Sequence, residues 1–258
     1  MIFINENLIN TTTQLSLDSN TVSAANIFSQ DSLEQYISDG YNDDLTTTSI
    51  TITFGTTTQV SKIALLDHNL KDYTLFYNGS TANTFSLTTT GATTTSDFSA
   101  NSETSQFLFA NTVSVSSITL DMSKTMSANA EKAIGRLIVS DLLLDFERIP
   151  SSKNYKPKKD MTSVIHKMSD GGVRMQYVSD KFDVSIKYKH ISRSFRDNLK
   201  TVYDTRDNFI FVAFPTSTGW DKVIFDCLWV GSFDFFQYSD DATDAGYSGT
   251  IRLSEATL

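Results

Sequence analysis

The oxygen-bearing side chains crowded into Asp39-Gly40-Tyr41-Asn42-Asp43-Asp44 are the set whose types and spacing best suit metal chemistry. Ca²⁺ is a hard cation that takes carboxylate and carbonyl oxygens, and a glycine turn lets a short loop aim several of them at one point. Asp39, Asn42, Asp43 and Asp44 are therefore candidate ligands, and Ca²⁺ is the one cofactor the sequence suggests. The spacing is not that of an EF-hand loop, so the competing reading is a solvated acidic turn. Asp240, Asp241 and Asp244 form a second acidic loop with the same two readings.

Catalytic chemistry finds less support. His68 follows Asp67, but neighbours on a strand point to opposite faces, so the two make no simple acid–base dyad, and His68 reads as marking a strand end or turn. Cys227, the only cysteine, sits in the apolar run VIFDCLWV and reads as a small buried hydrophobe; alone it forms no intrachain disulfide. A glycosidase needs two carboxylates at a set distance, and the many Asp residues select no pair. The expectation is a protein without enzymatic activity.

Around these residues the pattern is one of strands. Ser49 to Phe54 alternates Ile50, Ile52 and Phe54 against Thr51 and Thr53, the period of a half-buried strand, and Val60 to Leu66 is a more continuous apolar run. Tyr73 to Tyr77 and Thr84 to Leu87 flank Asn78-Gly79, a tight-turn signal. Phe107 to Phe109, Ser116 to Leu120 and Arg136 to Leu144 bring the set to sandwich spacing, and Asp31 to Ile37 reads as one or two helical turns. Farther on, Thr162 to Met168, Val173 to Val178 and Phe182 to Tyr188 read as strands. Ser192 then caps a helix over about 192–204 with Phe195, Leu199, Val202 and Tyr203 on one stripe. Phe209 to Phe214, Val223 to Val230, Phe233 to Tyr238 and Thr250 to Leu253 are the remaining strands, dense in aromatics that serve either a core or a subunit interface.

Between the two groups lies IPSSKNYKPKKD, with two of the three prolines, Pro150 and Pro157, and four lysines, which reads as a linker. The division is 1–148, a linker at 149–161, and 162–258. Up to Arg148 there are 6 Lys and Arg against 16 Asp and Glu, a net of −10; from Ile149 there are 15 against 14, a net of +1. The total of −9 argues against sequence-specific nucleic-acid binding, which needs a basic face, and the lysines of the linker read as solvated. The amino terminus lacks the basic and apolar regions of a signal peptide, and no stretch is long enough for membrane insertion.

The segment Ala24 to Phe28, the strand ending at Phe54-Gly55, and above all Ile63 to Leu70 (IALLDHNL) leading into Tyr77-Asn78-Gly79 resemble the discoidin or galactose-binding-like β-sandwich. The resemblance implies a jelly-roll-like fold for 1–148; a carbohydrate-binding adhesin, gripping a host-surface glycan, needs exposed aromatics beside polar loops, for which Tyr36, Tyr41 and Tyr73 are the candidates. The strand Phe182 to Tyr188, the helix after Ser192, Ile210 to Pro215, Trp229-Val230-Gly231-Ser232-Phe233 and Gly249 to Glu255 are similar to phage tail-tube and distal-tail proteins. That resemblance implies a tail-tube-like β-sandwich with one helix, a homo-oligomeric ring around a tail channel, and other tail or baseplate proteins as partners. The expectation is a mainly β structural virion protein, made in the host cytoplasm and built into the tail, with a carbohydrate-binding adhesin as the alternative.

Overall fold

A computed structural model describes residues 1–17, 21–29, 34–38, 44–85, 87–89, 92–94, 105–151, 153–168, 172–214, 223–237 and 246–256. In chain order the strands are β1 (Ile2–Ile4), β2 (Leu15–Leu17), β3 (Thr21–Val22), β4 (Tyr36–Ser38), β5 (Thr48–Leu66), β6 (Leu70–Tyr77), β7 (Ser80–Thr84), β8 (Leu87–Thr89), β9 (Ala92–Thr94) and β10 (Gln106–Thr125). They continue as β11 (Ala133–Ile134), β12 (Arg136–Ser140), β13 (Leu142–Asp145), β14 (Tyr155–Lys167) and β15 (Val173–Ile191). After helix α1 (Arg193–Thr205) come β16 (Phe209–Ala213), β17 (Val223–Trp229), β18 (Phe235–Gln237) and β19 (Tyr247–Glu255). The protein is mainly β with one α-helix among the described residues, and it divides into two compact units.

The first unit, Ile4–Leu142 with Phe214–Lys222, is a β-sandwich. Its larger sheet has the order β12-β5-β10-β6-β7, with β2 on β5 and the β8–β9 pair on β10; the smaller has the order β11-β4-β3. The alternation in Ser49 to Phe54 does what it predicts: Ile50 and Ile52 are fully buried and join Leu120, Leu75, Tyr36 and Ile134 in one apolar cluster. Fully burying such a side chain contributes about 1.5–3 kcal/mol. Segments that read as separate strands are continuous here, since β5 runs through Gly55 and β10 links Phe107 to Leu120, with register shifts between Phe109 and Val113 and between Val115 and Ser117. Bulges of this kind keep a long strand paired while bending it. Asn78 and Gly79, at φ 55° and 66°, make the tight β6–β7 turn. Tyr36–Ser38 is strand where helical turns were expected, because Tyr36 and Ile37 pair with Ile134 and Ala133. The earlier part of that expected helix, 31–33, lies outside the described residues.

The second unit comprises Met1–Phe3, Leu143–Ala213 and Val223–Leu258. Where a second sandwich was expected there is one eight-stranded sheet, ordered β13-β1-β16-β17-β19-β15-β14 with β18 on β19, curled as a half-barrel. Phe195, Leu199 and Val202 of α1 are buried, as their spacing predicts. Phe146 lies at the centre of the aromatic core, 4.8 Å from Phe3, 5.7 Å from Phe195 and 6.0 Å from Tyr188 between ring centroids.

The boundary differs from the one expected at 149–161. Arg136 to Leu144 is not one strand: β12 belongs to the sandwich and β13 to the other sheet. The lysine- and proline-rich segment read as a linker enters β14 at Tyr155 and pairs with β15 from Ile186 outward. Since β14 is the edge of its sheet, Pro157 breaks no ladder within it, and charged lysines are what an edge strand carries. The amino terminus also crosses over, because Met1, Ile2 and Phe3 are at most 5% exposed and belong to the second unit.

Candidate functional site

Of the candidate calcium ligands, Asp39, Asn42 and Asp43 lie outside the described residues, as do Tyr41 and the second acidic loop. Asp44 is committed elsewhere. Its Oδ1 accepts the backbone N–H of Thr125 at 3.1 Å and the Thr125 hydroxyl at 3.2 Å, while its own N–H donates to Asn129 Oδ1 at 3.2 Å. The Thr125 backbone hydrogen bond is the main cause that holds the Asp44 carboxyl below the usual carboxylate range. No group of three or more His, Cys, Asp or Glu suited to a metal occurs among the described residues.

His68 sits, as expected, in the turn between β5 and β6, where Nδ1 accepts the Leu70 N–H at 3.1 Å and the ring meets Tyr73 edge-on at 5.9 Å. Cys227 is buried in β17, and burial pushes its thiol well above its ordinary pKa, the opposite of an activated nucleophile. Tyr36 and Tyr73, expected to face a sugar, are both fully buried in the sandwich core. Their alternation with polar neighbours carried no sign of which face would be covered.

The sandwich instead presents a polar sheet face. Cross-strand register puts Ser16 opposite Thr51, Thr51 opposite Thr119, Thr119 opposite Phe76 and Phe76 opposite Thr84, one row across β2, β5, β10, β6 and β7. The Thr51 and Thr119 hydroxyls are 3.1 Å apart, and in the next row Ser49 Oγ donates to Asp121 Oδ1 at 2.6 Å. Phe76 is half-buried on this outer face, since Leu75 and Tyr77 on either side turn inward. The face thus offers donors, acceptors and one aromatic ring, which is the chemistry that meets a polyhydroxylated ligand. Sequence reasoning placed Thr51 outward but had no signal for the five-strand row, which depends on long-range register.

The second unit presents a different surface. β14 and β15 stay paired from Tyr155 opposite Ile186 out to Lys167 opposite Val173, whereas β15 pairs with β19 only over Asp183–Ile191. Among the described residues, the outer part of the hairpin therefore has no third strand. Ile165 stands opposite Met175, with Val173 on the same face by the strand period, and these three are 62%, 60% and 64% exposed. A lone two-stranded hairpin is marginal in water, and apolar side chains held out on one face mark an interaction surface.

No protein-family model and no curated protein matches the chain. About half of it resembles discoidin-like carbohydrate-binding modules among solved structures. Chitosan-binding module 1 of a chitosanase/glucanase from Paenibacillus sp. IK-5 matches at 15% identity and a TM-score of 0.39, covering 52% of this chain and 98% of that module. CpGH89CBM32-4 from Clostridium perfringens, solved with GlcNAc-α-1,4-galactose, matches at 15% identity and a TM-score of 0.39, covering 54% of this chain and 94% of its own. The likeness is one of fold.

Proposed function

We propose that this chain is a non-catalytic component of a larger assembly, in which the sheet-and-helix unit makes the protein contacts and the sandwich unit recognises a glycan. The observation that carries the assembly half is the β14–β15 hairpin, which holds Ile165, Val173 and Met175 in solvent beyond the sheet that would otherwise cover them. Burial of these side chains against a neighbour contributes roughly 1.5–3 kcal/mol each before the cost of association. The assembly is a phage tail or baseplate, a reading supported by the resemblance carried by Phe182 to Tyr188, the Ser192-capped helix and the Trp229 to Phe233 element. Neighbouring tail proteins and further copies of this chain are its partners.

The glycan half is favoured by the row Ser16, Thr51, Thr119, Phe76 and Thr84, whose hydroxyls and aromatic ring suit a sugar. Two measurements on full-length protein test the two halves separately. Light scattering and negative-stain electron microscopy at rising concentration are expected to find rings or larger particles that Ile165→Asp with Met175→Asp disperses; assembly indifferent to that pair sinks the hairpin's role. A glycan screen is expected to find ligands lost in Phe76→Ala, and a blank screen removes the glycan half.

A further inference from the structure

The face of the second unit's sheet that turns away from the helix carries a cationic groove. In β15, Val184, Ile186 and Tyr188 are buried, so Asp183, Ser185 and Lys187 project to the opposite face; in β19, Thr250, Arg252 and Ser254 do the same. Register aligns these into rows: Lys158 beside Asp183 and Ser254, Lys156 beside Ser185 and Arg252, and Lys187 beside Thr250. Successive rows are about 7 Å apart along the strands. A cavity of about 610 Å³ lies over the first two rows and one of about 220 Å³ over the third, with Arg252 lining both. The larger falls within the roughly 300–1,000 Å³ of ligand clefts.

Lys156, Lys158, Lys187 and Arg252 are all exposed, and Lys156, Lys187 and Arg252 form no ion pair among the described residues. Two carboxylates share the groove, Asp183 accepting the Ser254 hydroxyl at 2.5 Å and Asp234 accepting that of Ser232. Phe236, 63% exposed, lines the smaller cavity. Cations spaced in rows require repeated negative charge in the ligand. Carboxylates on the same floor accept hydroxyl donors and repel a continuous phosphodiester chain, and an aromatic edge receives the apolar face of a sugar ring.

We propose that this groove binds an acidic oligosaccharide, its carboxylates or sulfates paired with Lys156, Lys187 and Arg252 and its ring hydroxyls donating to Asp183. The site belongs to the second unit and does not depend on the sandwich face. Calorimetry on full-length protein with tetragalacturonate, a sulfated galactose tetrasaccharide, neutral cellotetraose and an oligothymidylate tests it. One of the two acidic sugars is expected to bind, salt-sensitively, and whichever is tighter identifies the anionic group; cellotetraose is expected not to bind. Arg252→Gln is expected to weaken binding about tenfold or more, as loss of one charge-assisted contact does, and Lys156→Gln on the edge strand to do likewise without a change in folding. Phe76→Ala, on the other unit, leaves it intact. Failure of both acidic sugars to bind, equal binding of cellotetraose, tighter binding of the oligothymidylate, or affinity unmoved by both cation substitutions overturns the proposal.

Discussion

Glu147 grips Ser192 twice: Oε2 accepts the Ser192 hydroxyl at 2.6 Å, and Oε1 accepts its backbone N–H at 3.0 Å. The same hydroxyl oxygen accepts the Phe195 N–H at 3.0 Å, so the residue that caps α1 is itself held by a carboxylate just past β13. The cap satisfies an orphan N–H, and the carboxylate lies where the positive end of the helix favours it. Ser192→Ala removes both side-chain contacts and is expected to cost about 1–2 kcal/mol. Glu147→Gln, which keeps an acceptor but loses the charge, is expected to cost less. Chemical denaturation of both variants and the double variant measures this, and independent, additive losses would show that the two residues do not act as one clasp.

Tyr188 gives the second unit an alkaline limit. Its ring is buried against Phe146 and Phe195 and its hydroxyl donates to the Arg148 carbonyl at 3.2 Å. Burial, with the nearby Glu147 charge, pushes its pKa far above the ordinary phenol, and burial pushes Tyr155 up to about 12. A folded pKa above the unfolded one contributes stability that is fully present below the unfolded value, about 10, and is lost as pH rises beyond it. Stability is therefore expected to fall steadily above about pH 10. Tyr188→Phe is expected to cost roughly 1 kcal/mol at neutral pH, through the lost hydrogen bond, and to make that fall shallower. An unchanged alkaline slope in the variant contradicts the assignment.

Asp44 works in the opposite direction on the sandwich. Its carboxyl is held low chiefly by the Thr125 backbone N–H, so its contribution is present above the ordinary carboxylate pKa and is lost as pH falls through the depressed one. Asp44→Asn, which keeps an oxygen acceptor for Thr125 but loses the charge, is expected to flatten the acid side of the stability profile and to lower stability slightly at neutral pH, where the carboxylate's contribution is present. An NMR titration of the Asp44 carboxyl reads the shift directly. A midpoint at or above the ordinary value contradicts it.

How much of this was legible in the sequence depends on the range of the interaction concerned. Ser192 and the stripe Phe195, Leu199 and Val202 are local, and the helix lies within one residue of where they place it. Asn78-Gly79 specifies its turn for the same reason. β1 was not legible: Ile2 to Ile4 is too short for a periodic signal, and its place between β13 and β16 depends on partners more than a hundred residues away. The edge strand β14 was hidden by its own protection, because lysines and Pro157 resemble a connector until the sheet beside them is known. The sugar-facing roles expected of Tyr36 and Tyr73 failed because hydroxyl-bearing aromatics suit a core as well as a surface, and only the second sheet of the sandwich decides between them.

Gly249 tests whether the short strand β18 is locked onto β19 by backbone proximity. It stands opposite Phe235 in the register, and a Cβ there would come within 2.5 Å of Phe235 Cδ1 and 2.6 Å of the Asp234 carbonyl oxygen. The ring has little room to retreat, because Phe235 is only 9% exposed and stacks on Phe233 at 4.8 Å, which in turn meets Trp229 at 5.8 Å. Gly249→Ala therefore forces β18 away from the sheet and is expected to cost about 1–3 kcal/mol, the range of overpacking substitutions. Fluorescence of Trp229, one of two tryptophans, reports the rearrangement alongside the melting temperature. Phe235→Ala removes the ring contact but leaves the one to the Asp234 carbonyl oxygen, so the double variant is expected to recover part of the loss and to be more stable than the sum of the two single losses predicts; strict additivity would show that the backbone contact, not the ring, sets the need for glycine.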